Sequence, residues 1–233
     1  MKHKIFRRLF VLVVIAANGA MTMSGQGVKS ENVFAAAPVL PKDLKRVVLL
    51  PLAAETSPAD LAGGCDTLNP ILLAKLIKTK KFEVISARPE VLRSLTGQSS
   101  WTGAEKLPAD FFDSLQRTYG CDGVLFCQLT EFRAYAPLAV GWRMKLVDAH
   151  TQKIIWAADE DFDAKDPAVE ADAKQFQKQQ HPNPTGVAAR LKTFLTAAGP
   201  QPRNPDDQWD VMNSPRFFGE YSAGKLLKTL PER

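Results

Sequence analysis

The densest group of side chains able to do chemistry is Asp159-Glu160-Asp161-Phe162-Asp163. On an extended strand Asp159, Asp161 and Asp163 share one face, about 7 Å apart at alternate positions. Three like charges so placed repel one another unless water or a cation takes up the charge. Asp159, Asp161, Asp163 and Glu170 also fall at positions one, three, five and twelve of a calcium-loop pattern. Two positions depart from it. Ala164 stands where the sharp turn needs glycine, and Asp166 where an apolar residue is usual. The preceding Ile154-Ile155-Trp156 reads as a strand, not as an entering helix. A solvated strand end is the expectation, and a calcium site is the alternative.

The same carboxylates are poor candidates for a general acid and base. A glycosidase needs two carboxyls facing one bond in different environments, and a crowded, exposed strand end offers no such asymmetry. Hydrolytic triads fare no better. Gly-x-Ser-x-Gly is absent, and beyond the N-terminal region only His150 and His181 remain, one in a turn and one beside prolines. Gly63-Gly64 reads as a turn signal and lacks the Lys-Ser/Thr of a phosphate loop. The three cysteines, Cys65, Cys121 and Cys127, match no zinc spacing. Better candidates for contact with a partner are Trp101, Tyr135 and Trp209, which fall in predicted loops or joins. Amphipathic aromatics are enriched at binding hot spots; the competing reading is that each pins its loop to the body.

These residues hang on a recognisable series of elements. Arg46–Leu52 is apolar on both faces, as in a central parallel strand. Asn69-Pro70 reads as an N-cap and first helical residue, opening a helix that carries Ile71, Leu72, Leu76 and Ile77. Phe82–Ile85 is a second strand, so the first three elements form a parallel crossover. Ser86 caps a short helix stopped by Gly97, and Pro108 opens another ended by Gly120. A long strand from Gly123 to Phe132, one over Val140–Val147 and a return from Lys153 complete the pattern, the last two as an antiparallel hairpin. In the tail, Val169, Ala173 and Phe176 have helical spacing, as do Val187, Leu191 and Phe194. Residues 199–207 form a loop, and Ser214-Pro215 caps a last helix. The predicted fold is α/β, with a mixed, five-stranded sheet covered by helices. Residues 40–165 make the α/β domain, and 166–233 a helical extension packing on it.

The first seventeen residues set the compartment. Lys2, Lys4, Arg7 and Arg8 precede the apolar run Leu9–Ala17, followed by small and polar residues, the order of a secretory signal. The apolar run is about half of the ~20 residues that span a bilayer, so a cleaved signal is favoured over an uncleaved anchor. Cleavage falls after Ala20 or Ala35, and the segment as far as about Pro41 is expected to be mobile. No Cys follows the run, so an ordinary lipid-anchor site is missing; Leu61–Cys65 resembles one only faintly. The net charge of +5 is mostly a property of this region: without its four basic residues, 26 basic stand against 25 acidic ones. A nearly neutral remainder gives no basic footprint for nucleic acid. An oxidising compartment permits a disulfide, for which Cys65 and Cys121 are the obvious pair. Their places at opposite edges of a parallel sheet favour free thiols.

Residues 46–163 resemble the small α/β domain shared by the TolB amino-terminal region, CsgG and LpoB. The likeness rests on Arg46–Leu52, Phe82–Ile85, the Tyr119-Gly120-Cys121-Asp122-Gly123 approach to the third strand, and the hairpin Met144–Trp156 with its Leu146-Val147-Asp148-Ala149 and Ile155-Trp156. The resemblance implies an envelope protein that binds other proteins and carries no catalytic residues. The expected function is thus that of an exported adaptor or accessory factor, periplasmic or envelope-associated, with an envelope protein as partner and no cofactor. The alternative is a periplasmic hydrolase or calcium-binding protein using the 159–163 carboxylates.

Overall fold

The computed structural model describes residues 32–54, 59–180 and 210–233. The secretory-signal pattern, the Ala20 cleavage site, His181, the Val187–Phe194 helix, the 199–207 loop and Trp209 lie outside them. One mixed sheet organises the chain. Its strands are β1 (Val33–Ala35), β2 (Arg46–Leu49), β3 (Ala53–Ala54), β4 (Glu83–Ser86), β5 (Gly123–Arg133), β6 (Ala139–Asp148) and β7 (Ile154–Asp163). They run in the order β1-β7-β6-β5-β2-β4, with β3 also on β5. β2 is parallel to both β4 and β5, whereas β5, β6, β7 and β1 pair antiparallel. The five expected strands are joined by β1 and β3, too short to carry an alternating pattern of their own.

Five helices among the described residues cover the sheet: α1 (Ala59–Thr79), α2 (Pro89–Thr96), α3 (Phe111–Tyr119), α4 (Pro167–Gln180) and α5 (Pro215–Leu227). Alternation along the strands divides the core in two. On the first face Val47, Leu125, Cys127, Trp142, Trp156 and Phe162 pack with Leu68 and Leu72 of α1, Ala173 of α4 and Phe218 and Tyr221 of α5. On the second face Val48, Val124 and Phe126 pack with Leu92 of α2 and Phe111 and Leu115 of α3. Each such large apolar side chain contributes about 1.5–3 kcal/mol by leaving water. Two buried tryptophans on the first face also need partners for their ring N–H. Trp142 Nε1 donates to Ser222 Oγ at 2.9 Å and Trp156 Nε1 to Thr229 Oγ1 at 3.1 Å.

Several local expectations are corrected. α1 begins ten residues before Asn69, and Pro70 sits inside it. Asn69 is not a cap; its Oδ1 accepts from Leu52 N at 3.2 Å, fixing the strand-to-helix join. Gly63-Gly64 is helix, not turn, and Gly64 serves close packing: a Cβ there would lie 2.6 Å from Phe132 Cγ. Ser86 ends β4, and α2 starts at Pro89 after Arg88. α3 starts at Phe111, with Pro108 in the turn before it. Gly97 and Gly120 do stop α2 and α3, at φ 90° and 59°, the left-handed region open to glycine. Ser214 caps α5, accepting from Phe217 N.

Of the stretch before Pro41, the described residues 32–40 are held, not mobile. β1 pairs with β7, Asp159 N donates to Asn32 O at 3.0 Å, and Leu40 N donates to Glu232 O at 2.7 Å. The three thiols are free. Cys65 lies in α1 against the first core and Cys121 in the second, on opposite faces of the sheet. Burial, with a smaller push from Asp66, raises the Cys65 thiol to about 11, and burial raises Cys121 to about 11.

Candidate functional site

Among the described residues, α2 and α3 cover only part of the sheet's second face. Its other part, on the ends of β5, β6 and β7, carries the polar residues singled out from the sequence. In register, Gln128 lies beside Arg143 and Arg143 beside Asp159; Gly141 lies beside Asp161, and Ala139 joins Arg133 to Asp163. The alternation therefore places Asp159, Asp161 and Asp163 on one face, as predicted.

Each carboxylate has its own neighbour. Arg143 Nε donates to Asp159 Oδ2 at 2.7 Å, and Arg133 Nη2 donates to Asp163 Oδ1 at 2.7 Å. Asp161 Oδ1 accepts from Thr130 Oγ1 at 3.3 Å, and this contact crosses directly over Gly141. A Cβ at Gly141 would come within 2.2 Å of both oxygens, so only glycine leaves room for the pair. The β5 register also shifts between Leu129 and Glu131, an irregularity that re-aims Thr130. Desolvation opposes the charge on Asp163. The Lys165 N–H, then the hydrogen bond and charge of Arg133, outweigh it and hold the carboxyl below its usual value.

Glu170 stands apart from these three, in the first turn of α4, where it pairs with Lys174 one turn on. The calcium-loop spacing is thus laid out as a strand end followed by a helix. Among the described residues, no three His, Cys, Asp or Glu side chains come together as metal ligands. His150, in the β6–β7 turn, faces Asp122 at 3.9 Å, and both are partly open to solvent.

The aromatic candidates separate. Trp101 is buried at 4% exposure, and its Nε1 donates to Thr96 Oγ1 at 2.7 Å. Its ring meets Phe111 edge-on at 5.6 Å. It is a pin that fastens the loop after α2 to the second core, so its reading as an exposed partner contact is corrected. Tyr135 is the opposite case: at 83% exposure it stands out from the β5–β6 connection. Phe34, on β1 at the open edge of the same face, is 52% exposed and was not singled out from the sequence. Its register with Ala157 shows where it points, a fact that needs the pairing of β1 with β7. Beside it lies an open hollow of about 420 Å³ reached by Arg143, Lys145 and Asp159.

No helix among the described residues is long and apolar enough to cross a membrane. No protein-family profile and no curated protein matches the chain. Solved structures do. The chain is similar to the lipoprotein GNA1162 of Neisseria meningitidis, at 18% identity and a TM-score of 0.38, over 60% of this chain and 99% of that one. It is similar to the LpoB C-terminal domain of Salmonella enterica, at 16% identity and a TM-score of 0.34, over 51% of this chain and 82% of that one. TolB of Acinetobacter baumannii is similar at 14% identity and a TM-score of 0.30, over 71% of this chain and 31% of that one. LpoB and TolB are two of the three proteins named from the sequence resemblance. At such identities the likeness concerns fold alone.

Proposed function

We infer that this protein is a non-catalytic, exported accessory factor of the cell envelope that works by binding another protein. The observation that carries the reading is Tyr135, a large amphipathic side chain left 83% exposed at the tip of a strand connection. Such a residue gains most when a partner buries it, because its ring is apolar and its hydroxyl still finds a hydrogen bond. Phe34 adds a second aromatic near the same face of the sheet. The N-terminal order of charges and apolar residues supports export. The carboxylates of β7 support no hydrolytic pair, since Asp159 and Asp163 each face an arginine.

The test is in-cell crosslinking of a tagged chain, with Tyr135→Ala beside the unaltered protein. One dominant envelope partner is expected, with recovery reduced about tenfold by the substitution, within the range of a hot-spot loss. Recovery unaffected by Tyr135→Ala, or no enriched partner at all, would remove the reading.

A further inference from the structure

On the first face, the C-terminal ends of α1, α4 and α5 meet around a cleft of about 410 Å³. Five lysines line it: Lys75, Lys78, Lys81, Lys225 and Lys228. Its deep side is apolar, with Leu227 and the Tyr221 ring almost fully buried and Phe176 half-buried. A second hollow of about 240 Å³ shares Lys78, Phe176 and Gln180 with the first, so the two make one groove.

Three of the lysines are engaged within the chain. Lys75 lies 3.3 Å from Glu220 and 5.3 Å from the centre of the Phe176 ring. Lys225 donates to Asp172 at 2.7 Å, and Lys81 donates to the Leu230 and Pro231 carbonyls beside Glu232. Lys78 and Lys228 are exposed and have no ion-pair partner among the described residues. The simplest account of these lysines is the helix ends themselves, each carrying a partial negative charge of roughly half a unit. That account covers the clustering of the five lysines, but Lys78 and Lys228 still stand exposed with no ion-pair partner among the described residues. An incoming carboxylate meets their ammonium groups at contact range, whereas the peptide dipoles stay fixed within the helices.

We propose that this groove docks an acidic, extended segment of a partner protein, with one large apolar side chain on the half-buried Phe176 ring and flanking carboxylates on Lys78 and Lys228. The proposal rests on the protein-binding reading above and names the chemistry of the partner. Charge complementarity selects an acidic segment over a basic one. The groove's length, two hollows end to end, suits a peptide better than a single small anion.

The experiment uses the full chain and three probes. One is a fluorescein-labelled peptide of glutamates flanking a single phenylalanine. The second is the same peptide with lysine for glutamate, and the third is phosphatidylglycerol vesicles. Binding is followed by anisotropy and by co-sedimentation. The acidic peptide binds, and K78E/K228E weakens it by about tenfold. Raising salt from about 50 to about 300 mM weakens it further, as screening requires. Both substituted side chains are exposed, so an unchanged melting temperature verifies that the variant is folded. Equal binding of the two peptides, no peptide binding, or vesicle binding abolished by K78E/K228E would each overturn the proposal. A Tyr135-dependent crosslink that survives K78E/K228E would overturn the groove and leave the protein-binding reading standing.

Discussion

Asp161 shows how far residue types and spacing reach. The alternation Asp159, Asp161, Asp163 told which face they share, because period two is a property of any strand. It could not tell who sits opposite. Arg133 and Arg143 come from strands 16 to 30 residues away in sequence, and the Thr130 contact depends on the missing Cβ of Gly141. A cation at this strand end would have to displace the Arg143–Asp159 and Arg133–Asp163 pairs, or share their oxygens with a charge of its own sign. Millimolar calcium is therefore expected to leave the melting temperature unchanged, since a ligand stabilises only by preferring the folded state. A clear upward shift, abolished by Asp161→Asn, would assign the carboxylates to a metal after all. Trp101 teaches the same lesson in reverse. Its loop position was visible, but the hydroxyl and the ring that hold it inside, Thr96 and Phe111, were not.

Among the elements, the ones with a strong local signature were legible. β2 and the first half of β5 are apolar on both faces, α2 and α3 end on left-handed glycines, and Ser214 caps α5. Failures arose where a tertiary contact overrode a local signal. Asn69 and Gly64 carry turn-like signals, yet both serve the packing of α1 on the sheet. β1 has three residues and no pattern, and it exists because β7 offers a free edge. That edge bears on processing of the chain. A cut after Ala35 would remove the whole of β1, together with the Asp159 N to Asn32 O bond, at about 1 kcal/mol for each hydrogen bond lost. A cut after Ala20 would leave the strand whole. N-terminal sequencing of the processed protein is expected to give a start at or before Asn32. A start at Ala36 would mean that the β7 edge is left open for another strand, and Phe34 would lose its part in any binding surface.

At the scale of the molecule, the two cores are separated by the sheet but joined through it. β5 contributes Leu125 and Cys127 to the first core and Val124 and Phe126 to the second. β2 does the same with Val47 and Val48. Neither core can therefore lose its packing without loosening the strands that the other needs. Leu72→Ala opens a cavity under α1, and Leu115→Ala one under α3; each costs about 2–5 kcal/mol by the usual sum of lost transfer energy and unfilled volume. In urea, both variants should lower the midpoint of one transition, seen alike by far-UV circular dichroism and by tryptophan fluorescence. Trp101 reports on the second core, and Trp142 and Trp156 on the first, so the fluorescence sees both sides of the sheet. Two separated transitions in Leu115→Ala, with the Trp101 signal changing first, would show that α2 and α3 form a unit able to open alone. In that case the open part of the second face could extend under those helices, and the surface offered to a partner would be larger than the folded chain displays.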